Sequence, residues 1–207
     1  MTVVARIFDL FDRLGREAYL RKGVSQREHA LQAAALAEAE GAAPALVLAA
    51  LLHDIGHLLA AQERARDDAQ RVHRLPHERI GAGWLEPLFG PAIAESVRLH
   101  VEAKRYLCAV EPGYARQLRE PARRRLAMQG GALTRSEIRE FQENPYHRAA
   151  VWLRRIDDRA CDASRTDLSG FDRYRERLET ALILRQLAVE TARRGDAFLG
   201  RAHCHAC

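Results

Sequence analysis

The sequence predicts an all-α fold, on three observations. Long stretches are built from Ala, Leu, Arg and Glu, residues that lose little on entering a helix. Apolar residues recur at helical intervals, and β-branched alternation is almost absent. At two segment starts a Ser or Thr stands three residues ahead of a Glu, the pattern of a capping box.

The first helix is read from Ile7 to Leu20, with Ile7, Leu10, Phe11, Leu14 and Ala18 on its apolar face. Ser25 with Glu28 opens a second, which runs through HALQAAALAEAE and stops at Gly41. Pro44 falls near the first turn of a third, ALVLAALLHDIGHLLA, which is apolar nearly all round and so expected in the interior. From Gln62 to Pro76 the chain turns polar, as a loop or lid would. Helical pattern returns at HERIGAGWLEPLF and, after Gly90-Pro91, at PAIAESVRLHVEAKRYL. Residues 111–133 are broken up by prolines and by Gly130-Gly131. Thr134 with Glu137 caps RSEIREFQE, Pro145 precedes HRAAVWLRRIDDRACD, and a last long helix covers Gly170 to Arg194. Residues 1–195 are expected to form a single domain and residues 196–207 a loosely held C-terminal tail.

A chain of 207 residues can bury one sizeable core without covalent staples. The net charge of +5 suits a small anionic substrate, or simply a basic solvated surface. No basic stripe interleaved with aromatics argues for nucleic acid. The apolar run Ala42 to Leu52 is broken by Pro44 and too short for a bilayer, and the N-terminal segment lacks the apolar stretch of a signal peptide. Cys108, Cys161, Cys204 and Cys207 outline no disulfide framework, so a cytoplasmic location with no membrane partner is expected. The terminal His203-Cys204-His205-Ala206-Cys207 cluster has metal-binding residue types, but compressed into a chain end, where adventitious metal or oxidation is the expectation.

The chemistry centres on His53-Asp54, at the end of an apolar helix and followed by Ile55-Gly56-His57. A buried carboxylate beside an imidazole is costly, and a metal ion compensates both at once; a hydrogen-bonded core pair is the bland alternative. His29 lies 24 residues before His53, His77 lies 24 after it and His100 a further 23. Each interval equals a helix plus a turn, so successive helices can each deliver one imidazole to a common interior point. Asp157, in the amphipathic LRRIDDRA, supplies a late carboxylate; Asp158 is its neighbour and rival. Four imidazoles and two carboxylates exceed the needs of one tetrahedral ion and suit two ions sharing a carboxylate. Mixed nitrogen and oxygen ligation is compatible with iron, manganese or zinc.

These residues resemble the H…HD…D pattern of the HD superfamily, an all-α helical bundle with a buried metal centre. VSQREHALQ, LLHDIGH, PHERIGAGWL, LHVEAKRYL, MQGG and LRRIDDRA are similar to the HD-domain mixed-valent diiron oxygenases that cleave carbon–phosphorus bonds, relatives of myo-inositol oxygenase. The resemblance implies that His29, His53 and Asp157 hold one iron, His77 and His100 the other, with Asp54 bridging. It implies that His57, Lys104 and Arg154 bind phosphonate oxygens, that Asp54, His57 and Lys104 belong to the catalytic set, and that Tyr19 gates an open iron position. The implied reaction uses dioxygen to convert a small α-hydroxyphosphonate, such as 2-amino-1-hydroxyethylphosphonate or an N-methylated analogue, into phosphate and a carboxylic acid. Three departures stand out. Cys161 replaces a lysine of the related sugar oxygenase, arginines fill REPARRRLAMQGG where serines are expected, and Lys22 stands where some relatives carry an acid.

Two other readings use the same residues. One is a metal-dependent HD phosphohydrolase cleaving a nucleotide or other phosphoester with Mn, Mg or Zn. The other is a catalytically silent helical sensor, against which the intact set of six candidate ligands argues.

Overall fold

The helix-rich reading is realised in a computed structural model that describes residues 1–16, 23–65, 76–118, 120–165 and 170–202, with side chains described as far as Arg194. Helix α1 (Val3–Arg13) starts at Thr2, whose hydroxyl accepts from the Ala5 amide at 3.2 Å. It ends before Leu14, earlier than the expected Leu20; Ala18 and Leu20 lie outside the described residues. Both capping boxes form. Ser25 caps α2 (Gln26–Ala39) and Thr134 caps α9 (Arg135–Glu143), each Glu reaching back to the cap amide. Gly41 ends the α2 turn with a positive φ of 68°, as a helix terminus favours.

One expectation is corrected at the centre of the chain. The apolar segment expected as one helix is two, α3 (Pro44–Leu52) and α4 (Ile55–Arg64), with His53-Asp54 in the turn between them. Asp54 takes φ −100° and ψ 8°, a conformation outside the helical basin that short polar side chains tolerate. This apolar segment, Pro44–Arg64, is long enough to cross a bilayer by length and composition, yet it is mostly buried as the core of the bundle.

A second correction concerns residues 111–133, which carry two helices, α7 (Pro112–Gln117) and α8 (Glu120–Met128). Pro112 and Pro121 fall in first turns, where a missing N–H costs nothing, so they start helices instead of breaking them. Gly130 and Gly131, at φ 95° and 75°, then turn the chain. The last helix, α11 (Arg175–Ala202), follows a 3-10 turn at Phe171–Tyr174 and continues past Arg194, through part of the segment expected as a tail. No proline interrupts Gly195–Ala202.

Helix α6 (Pro91–Val110) is the hub, packed against α5 (His77–Phe89), α10 (His147–Arg159) and α3; α2 lies on α3, and α4 on α5. One continuous core runs from Ile7, Leu10 and Phe11 through Leu48, Leu51 and Leu52 to Leu153 and Ile156. The α4–α5 contact is backbone on backbone: a Cβ on Gly56 would stand 1.9 Å from the His77 carbonyl oxygen and 2.9 Å from the Gly81 amide. Glycine at position 56 therefore fixes how near His77 comes to Asp54.

Candidate metal centre

Five elements converge on one buried point. Helix α2 brings His29, the α3–α4 turn brings His53 and Asp54, α5 opens with His77, α6 brings His100, and α10 brings Asp157. His29, His53, Asp54, His100 and Asp157 are buried; His77 is partly so.

The far side of three imidazoles is tied to a main-chain carbonyl, and that of the fourth faces a carboxylate. Nδ1 of His29 lies 2.6 Å from the Ala160 carbonyl, that of His53 2.9 Å from the Ala50 carbonyl, and that of His100 2.6 Å from the Val97 carbonyl. Nδ1 of His77 faces the Glu78 carboxylate at 3.2 Å. An imidazole that donates from Nδ1 presents a lone pair at Nε2, as His29, His53 and His100 do, and the Nε2 of His77 lies with theirs. They meet in two pairs, His29 and His53 at 3.1 Å and His77 and His100 at 3.3 Å. Two lone pairs at such distances repel unless a cation lies among them.

The carboxylates complete each pair. Asp54 divides its oxygens between them: Oδ2 stands 3.8 Å from His29 Nε2 and 3.7 Å from His53 Nε2, while Oδ1 stands 3.3 Å from His77 Nε2 and 3.8 Å from His100 Nε2. Asp157 joins the first pair only, with Oδ1 3.2 Å from His29 and 3.7 Å from His53. His29, His53 and Asp54 form one group able to hold a metal, and Asp54, His77 and His100 a second. Two imidazoles with carboxylate oxygen on each side of a shared Asp fit two first-row metal ions.

The electrostatics agree. Burial would raise Asp54, yet His53, His77 and His57 outweigh it and hold the carboxyl well below its ordinary range. Burial opposes ionisation of Asp157 too, and Arg154 with His29 and His53 drives it well down. His29 is pushed well up against its own burial by Asp157, Cys161 and Asp54, so the field that favours a metal cation also favours a proton there. His100 is pushed down to about 3, first by burial and then by His77 and His53, which keeps it a neutral donor.

An outer layer follows. His57 stacks on His77 with ring centroids 3.9 Å apart and lies 4.0 Å from Asp54 Oδ1. Burial first, then His77, His53 and Arg125, against the pull of Asp54, lower His57 to about 4. Lys104, one turn beyond His100, is buried and donates to Gln129 Oε1. Arg154 is buried with Nη1 2.7 Å from Asp157 Oδ2, a second nitrogen on Asp158 and Nε 3.2 Å from the Tyr114 hydroxyl. Of the neighbouring pair, Asp157 faces the imidazoles and Asp158 faces Arg154 and Tyr114. Tyr19, Lys22, His73 and the His203–Cys207 cluster lie outside the described residues. His147 bonds the Asn144 carbonyl at 2.8 Å, away from the cluster.

A profile of the HD domain matches residues 27–167, the span that holds His29, His53, Asp54, His77, His100 and Asp157 together with His57, Lys104 and Arg154. This chain belongs to the HD-domain family. Within it, hydroxymethylphosphonate dioxygenase of Gimesia maris (strain ATCC 29201 / DSM 8797 / 534-30) is 45% identical over 157 residues, covering 76% of this chain and 77% of the relative. The glycine-betaine-forming dioxygenase of 1-hydroxy-2-(trimethylamino)ethylphosphonate from Leisingera caerulea is 40% identical over 157 residues, 75% and 79% of the two chains. Uncharacterized protein L432 of Acanthamoeba polyphaga mimivirus is 34% identical over 176 residues. The expected likeness to HD-domain phosphonate oxygenases therefore holds, and the chain is an HD-family enzyme with a His/Asp cluster fit for metal.

Sequence reasoning missed the residues that hold these HD-family side chains in place. Tyr114, Glu78, Gln129 and the Ala160 carbonyl are set by tertiary packing, and their local sequence carries no periodic signal. Cys161 was legible as a departure; its Sγ lies 3.7 Å from His29 Nδ1, a contact the sequence did not suggest.

Proposed function

We propose that this protein is an iron-dependent oxygenase that cleaves the carbon–phosphorus bond of a small α-hydroxyphosphonate, giving phosphate and a carboxylic acid. The observation that carries this reading is the division of Asp54 between two imidazole pairs. His29, His53, Asp54 and Asp157 would hold one iron, and Asp54, His77 and His100 the other. When bound, such a pair supplies redox chemistry toward dioxygen and neutralises the substrate's charge.

The chain's own groups do the rest. Lys104 and His57 orient the phosphonate against the pair, Lys104 as a fixed cation and His57 as a neutral imidazole able to give or take a hydrogen bond. Arg154 holds Asp157 through one oxygen, so that the other faces His29 and His53, and it has N–H groups to spare for a phosphonate oxygen. The buried cluster excludes water, which protects the redox step from side reactions. The balance closes without an external reductant: dioxygen takes four electrons from the C–H and C–P bonds, and its two oxygen atoms end in the carboxylic acid and phosphate. Tyr19 is proposed as the gate on the substrate side, and a cytoplasmic, nucleic-acid-free setting goes with a small anionic substrate.

The test is anaerobic purification with metal analysis, then hydroxymethylphosphonate or 2-amino-1-hydroxyethylphosphonate and air, following phosphate. Phosphate release that needs both iron and dioxygen is expected. Hydrolysis of phosphoesters with manganese and no dioxygen would instead select the phosphohydrolase reading.

A further inference from the structure

We infer that Gln32 is a positioning residue for the metal centre: its buried side-chain amide clamps the main chain just past α10, and so sets how the Ala160 carbonyl aims His29. The inference rests on the reading of His29, His53 and Asp157 as ligands of one ion, and is independent of which reaction that ion serves.

Helix α10 delivers Asp157 and ends at Arg159. Ala160 caps it. Its N–H still bonds back to the Ile156 and Asp157 carbonyls, at 3.0 and 3.2 Å, while its own carbonyl turns to α2 and accepts from His29 Nδ1 at 2.6 Å. Past a helix end the main chain has lost its helical partners, and groups packed against another helix need new ones. Gln32 supplies both for Asp162: its Nε2 donates to the Asp162 carbonyl at 2.7 Å, and its Oε1 accepts from the Asp162 amide at 2.9 Å. A side-chain amide offers a donor and an acceptor in one plane, so it grips the backbone as a neighbouring strand would.

Gln32 stands three residues after His29, on the same side of α2. The two side chains thus hold one short stretch, His29 at Ala160 and Gln32 at Asp162, with Cys161 between them. Gln32 is only 1% exposed, so water does not compete for either bond. The tie at Glu40 differs in kind. Glu40 accepts from Trp152 Nε1 at 3.1 Å and pairs with Arg159, with 37% and 52% of the two charged side chains accessible, where an ion pair contributes little. Glu40 fastens α10 to α2 at the surface, whereas Gln32 fixes the stretch that carries the Ala160 carbonyl. The clamp bears on His29 and Asp157, which face each other in the first half of the centre. His77 and His100 come from α5 and α6, which it does not join.

The experiment compares wild type, Gln32→Met, Gln32→Asn and Glu40→Ala, each checked by circular dichroism. Ferrous iron binding is measured by anaerobic calorimetry in two backgrounds, His100→Ala to leave the His29 half and His29→Ala to leave the His77 half. Gln32→Met is expected to weaken iron about tenfold in the first background and by less than about twofold in the second. Gln32→Asn, one methylene shorter, should fall between Gln32→Met and wild type, and it carries the comparison if Gln32→Met does not fold. Glu40→Ala loosens the same two helices without touching the clamp and should leave both affinities as they were. NMR of the metal-free protein with labelled histidine reads the contact directly: the His29 Nδ1 proton should move upfield and exchange faster in the Gln32 variants, and stay in Glu40→Ala. Unchanged iron affinity of the His29 half in a folded Gln32 variant, or an equal loss in Glu40→Ala, overturns the inference. If wild type takes up no iron, the metal reading falls, and the His29 resonance still decides the role of Gln32.

Discussion

Asp54 carries two duties at once, because each of its oxygens faces a different imidazole pair. Asp54→Ala is therefore expected to strip metal from both halves, whereas His100→Ala should spare the His29–His53 half. Metal analysis beside a circular dichroism spectrum separates the two, and full metal content in a folded Asp54→Ala protein would discredit the bridge. Gly56 is as constrained as any ligand. A methyl there meets the His77 carbonyl at 1.9 Å, backbone that cannot rotate away. Gly56→Ala should cost about 2–3 kcal/mol in urea denaturation through overpacking, and should weaken metal binding on the His77 side as well. The candidate cluster was legible in the sequence because histidine and aspartate are rare in apolar helices, and intervals of 23 and 24 residues match a helix plus a turn. Arg154 was legible as a cation near the site, but not as the clamp on Asp157, since Tyr114 and Asp158 reach it only through the fold.

Caps and periodicity made most helices readable, and both capping boxes formed where Ser25–Glu28 and Thr134–Glu137 stood in the sequence. Removing the Ser25 hydroxyl as Ser25→Ala should cost about 1 kcal/mol, the usual worth of an N-cap. Glu137 offers a test by pH. Hydrogen bonds from the Thr134 amide and hydroxyl, and then Arg105, lower its carboxyl from 4.5 to about 2. A carboxyl depressed in the folded state stabilises above its unfolded pKa, and that stability fades as pH falls from 4.5 toward 2. Glu137→Gln should flatten this part of the thermal stability profile, and carboxyl NMR of the wild type should show Glu137 titrating below its exposed neighbours. What could not be read was the break between α3 and α4. The apolar run continues through it, and only the cost of burying Asp54 in a continuous helix hints at a turn. Residues 112–128 misled for the opposite reason: proline density reads as loop unless each proline is placed in a first turn.

At the scale of the whole molecule, the centre joins helices far apart in sequence, from α2 to α10. Anything bound there acts as a cross-link across the bundle, and binding only the native state raises stability by mass action. Ferrous iron at a hundredfold excess over its Kd should add about 2.7 kcal/mol, or a Tm rise of roughly 5–10 °C for a chain of this length. Chelation should reverse it, as scanning calorimetry under argon can follow. A Tm indifferent to iron in wild type, but not in a control metalloprotein, would speak against the centre. The all-helical architecture was legible because helix-forming residues and helical apolar spacing recur along the chain; which helices touch was not, since periodicity gives a face and no address.

Three of the four imidazoles are leashed to main-chain carbonyls, at Ala50, Val97 and Ala160. Main chain does not mutate. Substitutions nearby can therefore reshape what reaches the cluster while the aim of the rings stays fixed, so new appetites for substrate can arise without rebuilding the centre.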